Sequence, residues 1–460
     1  MKRRVRRTCA AAGLLGAGLA ASALAPIQAF AADLGGNCCA DLEERIAELE
    51  ATTARKGNRK VSLTITGFVA KQLAYFDDGD EQNFHITDTG SISIGTHVRL
   101  LGEAKIAPGW TAGYSINIET VSADSLLVNQ NSNSNVGSAL AGGRGSIAVE
   151  NSYAFIKNDQ IGRLSWGLQS SAADNQSILP DASGSLVVAN FVLYDSNNFS
   201  LRRSDGTLST VNYGSLATCQ TLNGAGGASG DCDGIPNNTI RFDTPVVAGF
   251  SGSVSWGEDD IWAVSGRYAG ELGGFKVSGA IAYVESSDEN VAANGGATAN
   301  GGLDVSALQL GGYVQHIGTG LFAYGAYGQD YNDVTAAQRG DGLISPEGDN
   351  WYGKIGLRQR WTPLGHSVLY GEYGENNDKL SAGLFDAGVS STNLEQYGVG
   401  IVQEVDAAAM SLWLAWRHYQ VDDITCADQA AGSCAAAGLT NGVSRFEDLD
   451  IVKAGALINF

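Results

Sequence analysis

The fold of this chain is decided by stretches such as WTAGYSINI at residues 110–118, in which apolar and polar side chains alternate. Successive side chains of an extended strand point to opposite faces, so Trp110, Ala112 and Tyr114 share one face and the residues between them share the other. The same period of two recurs along the chain as far as its last segment, IVKAGALINF. We therefore predict amphipathic β-strands from residue 61 to the C-terminus.

Sixteen strands are predicted from this alternation. They cover residues 61–76, 91–106, 109–120, 147–157, 162–170, 238–243, 249–257, 261–270, 275–285, 305–317, 321–330, 350–361, 366–374, 393–403, 408–420 and 447–460. Short turns alternate with long loops between the strands, and only the short connection at 258–260 breaks this rule. All prolines lie outside the strand interiors, as expected of a residue that has no N–H to donate.

The alternation of turns and loops predicts a barrel in a membrane. An even number of amphipathic strands, with turns at one end and long loops at the other, is typical of outer-membrane β-barrels. The sheet has to close, because lipid leaves the backbone groups of an open edge unsatisfied. We therefore predict an all-β fold, a 16-stranded antiparallel transmembrane β-barrel over residues 61–460, with a soluble β-sandwich or β-helix as the alternative.

The composition argues against several other classes of protein. The chain has 460 residues, a formal net charge of −20 and 17% charged residues, whereas soluble chains have about a quarter. Outside the N-terminal segment no apolar run reaches the about 20 residues that a transmembrane helix needs. An acidic chain repels phosphate, so no nucleic-acid partner is expected. Neither His-Glu-x-x-His nor Gly-x-Ser-x-Gly is present, so we expect no enzyme, no cofactor and no metal site.

Residues 1–31 have the parts of a signal peptide. Five basic residues lie within positions 2–7, an apolar stretch follows at 10–25, and Ala29-Phe30-Ala31 fits the small-x-small rule for cleavage. Export by this route takes the rest of the chain to a compartment where disulfides can form.

Residues 32–60 are predicted to form a periplasmic N-terminal arm with a helix at 39–56. Leu42, Ile46 and Leu49 have the spacing of a coiled-coil seam. Two heptads are too short for a stable isolated pair, so such a seam needs several arms held together by something larger. A single amphipathic helix packed on the end of its own domain explains the pattern equally well.

Three stretches resemble the general porins of alphaproteobacteria, the rhizobial-type family: residues 38–61, TIRFDTP at 239–245 and ALINF at 456–460. The resemblance implies a homotrimeric outer-membrane porin through which small hydrophilic solutes and ions diffuse passively. It also implies that Phe460 is read by the barrel-assembly machinery and that three arms can meet in a periplasmic coiled coil. The other partners would be the lipid and lipopolysaccharide of a Gram-negative outer membrane.

In the resembled family the third long loop folds into the pore, which points to loop 171–237 as the constriction. Its candidate acidic residues are Asp174, Asp181, Asp195 and Asp205. Strand parity places a set of basic residues on the lumen side of the wall: Arg99, Arg163, Arg241, Arg267, Lys354, Arg358, Arg360 and Arg417. An acidic loop facing a basic wall would create a transverse field that favours polar solutes. The net charge predicts a weak preference for cations, and any single arginine of the set could instead only support the wall.

The cysteines predict two local disulfides. Cys219 and Cys232 lie in loop 171–237, and Cys426 and Cys434 lie in the last long loop. A zinc site is the rival interpretation, but the spacing is wrong and no histidine is near. The adjacent Cys38 and Cys39 leave a bond between chains open.

Two alternatives to a general diffusion porin stay open. A substrate-specific channel would have the same fold, and the inward aromatic residues do not form an obvious file for a sugar. The barrel could also serve mainly as a structural tether between the outer membrane and the cell wall, with the N-terminal arm attached to peptidoglycan.

Overall fold

The computed structural model describes residues 60–89, 95–121, 123–132, 146–192, 195–219, 229–258, 260–289, 303–332, 347–379, 384 and 387–460. The predicted signal peptide lies outside the described residues. So does the predicted arm, apart from Lys60, with its seam at Leu42, Ile46 and Leu49 and its two cysteines.

Within the described residues, sixteen long antiparallel strands follow one another around a single sheet. They are β1 (Ser62–Asp77), β2 (His97–Ala107), β3 (Trp110–Val121), β4 (Ser146–Asn158), β5 (Gly162–Gln169), β6 (Asn237–Asp243), β7 (Phe250–Gly257), β8 (Trp262–Leu272), β9 (Phe275–Glu289), β10 (Leu303–His316), β11 (Leu321–Asn332), β12 (Glu347–Thr362), β13 (Gly365–Asn377), β14 (Asn393–Val405), β15 (Met410–Val421) and β16 (Leu449–Asn459). The predicted all-β class and the strand order are confirmed.

The first and last strands pair with each other and close the sheet into a barrel. β1 pairs with β16 from Phe68, opposite Asn459, to Asp77, opposite Asp450. Next to this ladder, Gly67 exchanges two backbone hydrogen bonds with Phe460, of 3.1 and 3.0 Å. All backbone partners along this seam are therefore supplied by the chain itself, which is the condition for a sheet in lipid.

Another segment takes part of the place next to β1 that the second strand could occupy. The prediction starts this strand at residue 91; residues 91–94 lie outside the described residues, and β2 begins at His97. The strand Gln82–Asp88 folds back from β1 and pairs with its residues 71–77. Only residues 62–68 of β1 pair with β2. A local pattern of alternation does not reveal which of two neighbouring segments takes the partner strand.

Single helical turns lie at Tyr213–Leu216, Asp406–Ala408 and Ser433–Ala436. None of the described residues belongs to a helix long and apolar enough to cross a membrane.

The side chains of the barrel alternate between an apolar outer face and a mixed inner face. On β1, Ile65, Val69 and Leu73 are each more than 40% exposed, whereas Ala70 and Gln72 are buried. Exposed apolar side chains in this arrangement meet hydrocarbon rather than water, which is the pattern of a transmembrane barrel.

Aromatic side chains are grouped near both ends of the outer face. At the end that carries the long loops, Trp262 contacts Tyr283 and Trp351 contacts Tyr373, with ring centroids 5.5 and 5.1 Å apart. At the end that carries the turns, Phe250 contacts the ring of Tyr268 at 4.6 Å. Aromatic girdles of this kind mark the two boundaries of the bilayer.

Candidate pore constriction

The loop between β5 and β6 comprises residues 170–236, of which 193–194 and 220–228 lie outside the described residues, and part of it lies inside the barrel against one side of the wall. We call it the constriction loop. Its Ile178, Val188 and Phe191 are at most 5% exposed. They pack on inward-pointing aromatic residues of β10–β13 and β15: Tyr313, Phe322, Tyr324, Tyr352, Tyr370 and Trp413. Apolar side chains gain free energy by leaving water, so this part of the loop is held against the wall.

The outer part of the same loop covers the barrel at the end that carries the long loops. Phe199, Leu201 and Tyr213 are at most 2% exposed. They form a core with Tyr419 of β15 and with Val389 and other residues of the last two loops. The constriction loop therefore both enters the lumen and closes part of its mouth.

Two buried lysines of the wall bind acidic residues of the constriction loop. Lys354 on β12 donates to Asp181 Oδ2 at 2.6 Å, and Lys453 on β16 donates to Asp195 Oδ2 at 2.5 Å. The other carboxylate oxygen of Asp195 accepts from Gln72 Nε2 of β1 at 2.6 Å. All four charged side chains are at most 10% exposed. These two predicted acidic residues are therefore neutralised at the wall and not open to the lumen.

A third wall cation reaches the same loop. Arg417 on β15 forms a buried ion pair with Glu372 on β13 at 2.6 Å. Its Nη2 also donates to the backbone oxygen of Asn190 at 3.5 Å. Glu372 holds the guanidinium in place, so this arginine is a support of the loop as well as a wall residue.

The predicted basic residues of β5–β8 lie together near the foot of the constriction loop. Arg163 and Arg241 share the carboxylate of Asp243, each at 2.8 Å. Arg267 donates to the side-chain oxygen of Gln176 in the loop at 2.5 Å. One carboxylate thus serves two of the three arginines, and Arg267 is also within range of the charge of Asp174.

The other predicted basic residues lie elsewhere on the barrel wall. Arg99 on β2 is exposed and donates to Ser115 Oγ at 3.0 Å. Arg358 on β12 pairs with Glu404 of β14 at 2.8 Å. Arg360 pairs with Asp406 in the turn region and is half exposed. The last two therefore form ion pairs within the wall.

Three buried carboxyls form a cluster at the foot of the constriction loop. Asp174, Asp231 and Asp233 are at most 4% exposed. Burial raises the pKa of Asp231 to about 6 and that of Asp233 to about 7. Burial, reinforced by the charge of Asp231, also raises the pKa of Asp174 well above its ordinary value. A cluster of this kind carries protons near neutral pH.

Asp205, the fourth predicted acidic residue, lies away from this cluster. It belongs to a hairpin between the strands Ser200–Arg202 and Leu208–Asn212. Its carboxylate accepts from Thr207 N at 2.9 Å and Oγ1 at 2.6 Å. These hydrogen bonds lower its pKa, and its role is to shape an exposed turn.

Both predicted cysteine pairs are disulfide-bonded, Cys219 to Cys232 and Cys426 to Cys434. Among the described residues, one group has the spacing of metal ligands, formed by the first pair together with Asp330. The disulfide leaves it no thiolate for a metal. The same sulfurs contact the buried Lys379 Nζ, at 3.6 and 3.9 Å.

Sequence reasoning missed Lys453, Glu372 and the two carboxyls at Asp231 and Asp233. Lys453 could have been found, because it stands between Val452 and Ala454 of the outer face and so has inward parity. Glu372 likewise has inward parity, since it alternates with the outward Leu369 of the same strand. Nothing local marks the two aspartates, because their importance comes from partners that are distant in the sequence.

A family model described as Gram-negative porin matches residues 9–412. The solved anion-selective porin from Comamonas acidovorans is similar to this chain, with a TM-score of 0.53 and 15% identity over 87% of this chain and 100% of that one. OmpF of Salmonella typhi in complex with daunomycin has a TM-score of 0.49 and 12% identity, over 88% and 99%. OmpT of Vibrio cholerae in its trimer form has 0.48 and 10%, over 87% and 99%.

A search of curated proteins finds no match. The structural likeness concerns the fold, whereas the family match covers most of the chain. Family and fold together imply a channel rather than an enzyme. The chain belongs to the Gram-negative porin family, and it is an outer-membrane channel for passive diffusion.

Proposed function

We propose that this channel passes small hydrophilic solutes and ions through a lumen narrowed by the constriction loop. The observation that carries the proposal is the packing of Ile178, Val188 and Phe191 on the inner wall, which places the loop across one side of the lumen. A barrel of this size has a wide aqueous interior, so a loop docked inside it sets the free cross-section.

Recording of single channels in planar bilayers tests this function. Purified wild-type protein should give stable, ohmic conductance steps. Swelling of liposomes that contain the protein should fall off as the size of the test sugar increases. Correctly folded protein without conductance would contradict the proposal and would favour the structural tether between membrane and cell wall.

Our proposal keeps the basic wall of the original hypothesis but not the acidic face of the loop. The wall carries the charge that solutes meet, since Asp181 and Asp195 are bound to lysines, whereas Arg163 and Arg241 share a single ion-pair partner, Asp243, and Arg267 is bound to the neutral Gln176. We propose that these arginines oppose the acidic net charge of the chain, so that the preference for cations stays weak.

Measurement of reversal potentials in a salt gradient checks this proposal. Wild-type protein should show a weak cation preference, and Arg267→Gln should shift the potential further toward cations. The exposed Arg360, which is paired with Asp406 in the turn region, offers Arg360→Gln as a control that shifts it less. Anion preference of the wild type would overturn the predicted sign, and an unchanged potential in Arg267→Gln would overturn the role of the arginines.

We infer that the protein is a homotrimer of the rhizobial, alphaproteobacterial subtype, with residues 32–60 as its periplasmic arm. The inference is supported by the three resembling stretches and by the spacing of Leu42, Ile46 and Leu49. The mass of the detergent-solubilised protein by light scattering tests the oligomer. A monomer would contradict it, and loss of trimers on removal of residues 32–59 would assign the arm its role.

The remaining partners are also proposals: the assembly machinery comes from the resemblance, and peptidoglycan comes from the alternative of a structural tether. Lipopolysaccharide would surround the barrel, Phe460 would be read by the barrel-assembly machinery, and peptidoglycan would take the arm. Digestion of cell walls with muramidase tests attachment: an attached protein changes its mass and extraction, and an unattached one does not.

A further inference from the structure

Three successive backbone carbonyls of the constriction loop are each bound by a different cation of the wall. Lys453 Nζ donates to the oxygen of Val188 at 2.8 Å, and Lys354 Nζ donates to that of Ala189 at 2.7 Å. Arg417 Nη2 donates to that of Asn190 at 3.5 Å. We call these three cations the cationic socket.

The carbonyls belong to the end of one helical turn. The N–H groups of Val188 and Ala189 both donate to the oxygen of Ser185, at 3.1 and 2.9 Å. The carbonyls that follow such a turn have no partner within it and carry partial negative charge. Cations placed against them form charge-assisted hydrogen bonds, which are stronger than neutral ones.

The socket is buried and balanced in charge. Its three cations have side chains at most 3% exposed. Each has one carboxylate partner: Asp181 and Asp195 come from the loop, whereas Glu372 comes from the wall. Burial alone would raise the pKa of Asp195. The charge of the Lys453 ammonium and its hydrogen bond to the carboxylate outweigh burial, so the pKa of Asp195 lies below its ordinary value.

The three cations of the socket lie on three strands of the barrel, and the carboxylate partner of Arg417 lies on a fourth. Lys354 lies on β12, Glu372 on β13, Arg417 on β15 and Lys453 on β16. These strands are fixed relative to one another by the closed sheet, whereas the loop is attached to the sheet only at its two ends. Contacts to the socket therefore act together with the apolar packing of the loop to position its middle.

We propose that the cationic socket is the latch that holds the constriction loop in its narrowing position, with its three cations as positioning residues of the pore. The proposal rests on the proposed function, because a latch matters only in a channel that conducts. Loss of one cation leaves a buried carboxylate without its partner, and such a group moves toward water. The middle of the loop then detaches from the wall and moves out of the lumen toward the mouth of the barrel, the lumen widens, and the released carboxylate faces the passing ions.

The test compares Lys453→Met with Lys276→Met, which removes an exposed lysine near the turn between β8 and β9. Folding is checked first by the shift in gel mobility on heating. We expect Lys453→Met to raise the single-channel conductance roughly twofold with added open-channel noise, because conductance follows the free cross-section of a water-filled lumen. We also expect a reversal potential shifted toward cations and faster cleavage of the loop by thermolysin. Lys276→Met should keep wild-type conductance, noise and cleavage.

Asp195→Asn provides a second variant if Lys453→Met does not fold. It keeps the shape of the side chain and leaves Lys453 its bond to the Val188 carbonyl. It should raise conductance, noise and cleavage less than Lys453→Met does, and it should shift the reversal potential away from cations, because a negative charge is lost while Lys453 keeps its own. If the wild type conducts and both variants match it in conductance, noise and cleavage, the latch is overturned while the channel function stands. If the folded wild type does not conduct, the proposed function itself fails.

Discussion

Buried ion pairs help attach the constriction loop to the wall. Because they are buried, the loss of one partner costs more free energy than it does in an exposed pair. The Lys354–Asp181 pair has no exposed side-chain surface. Breaking a buried pair by removing one partner costs about 3–5 kcal/mol, whereas an exposed pair contributes about 0–1 kcal/mol. Arg360 and Asp406, which are about half exposed, belong to the second class. Residue type alone does not separate the two classes.

The buried carboxyl of Asp233 predicts a pH-dependent stability of the loop foot. Its pKa is raised to about 7 by burial, so the folded state holds the proton more tightly than the unfolded state does. Stability from this group is therefore greatest below the ordinary value of 3.8 and is lost as pH rises to about 7. We expect Asp233→Asn to flatten the dependence of the thermal midpoint on pH between 4 and 8.

The control for this prediction is Asp205→Asn, which changes an exposed carboxylate of the hairpin turn. It should leave the fall in thermal midpoint with rising pH in place. In wild type, Ser171 Oγ donates to Asp233 Oδ2 and Asn237 Nδ2 donates to Oδ1, so the amide variant keeps an oxygen acceptor for one of these two donors. An equal pH slope in Asp233→Asn and wild type would contradict the prediction.

At the scale of elements, the constriction loop is stabilised at its base by a crosslink. The Cys219–Cys232 disulfide lies in a core with Ala172, Ala173 and residues of β8–β10. It joins positions 13 apart, and closing a loop of that length contributes about 3 kcal/mol in the chain-entropy account. The second disulfide joins Cys426 and Cys434 within the last loop, where it belongs to a different core.

Removal of the first disulfide by Cys219→Ser with Cys232→Ser should therefore affect the pore. We expect a lower thermal midpoint and more open-channel noise, because the base of the constriction loop loses its crosslink. Cys426→Ser with Cys434→Ser is the matched control and should lower the midpoint without added noise. Equal noise in both double variants would show that the first disulfide does not position the loop.

A tight turn between β8 and β9 shows how local chemistry determines an element. Leu272 pairs with Phe275, which leaves Gly273 and Gly274 as the two turn residues. Both have positive φ, of 58° and 85°. A two-residue hairpin turn of this kind needs left-handed backbone at both positions, which glycine adopts without strain. This turn was predictable from the sequence because its requirement is local.

At the scale of the whole molecule, closure joins the two ends of the described chain. Gly67 and Phe460 exchange backbone hydrogen bonds beside the ladder of β1 and β16. The Phe460 side chain is 56% exposed on the outer face, where lipid surrounds it. Strands so distant in sequence pair slowly, because the chain loses conformational entropy on closing before the stabilising contacts between the strands have formed.

Deletion of Phe460 should therefore lower the yield of folded barrel when the denatured protein is diluted into lipid vesicles. The deletion removes both hydrogen bonds to Gly67 and the last apolar side chain of the seam. Phe460→Tyr keeps the backbone and a ring, so its yield should match the wild type. The fraction with altered gel mobility before heating measures the yield, and an undiminished fraction in the deletion would contradict the expectation.

Much of the barrel wall could be predicted, because strand parity is a property of neighbouring residues. Arg163, Arg241 and Arg267 were assigned to the lumen side from the apolar residues beside them. Their contacts lie at the inner wall. The same rule assigns Lys453, although its partner Asp195 is 258 positions away. What parity does not show is whether an inward cation meets water or a loop.

The sequence by itself determined the class of fold, the number and alternation of strands, the closed form of the sheet and the cysteines available for disulfides. These depend on side-chain periodicity, backbone hydrogen bonding in lipid and residue type, which are local or general. Only the tertiary structure decided that Val188, Ala189 and Asn190 meet cations from three strands. It also decided that Asp181 and Asp195 are buried there. Such pairings join distant parts of the chain, and each is selected by the geometry of the closed barrel.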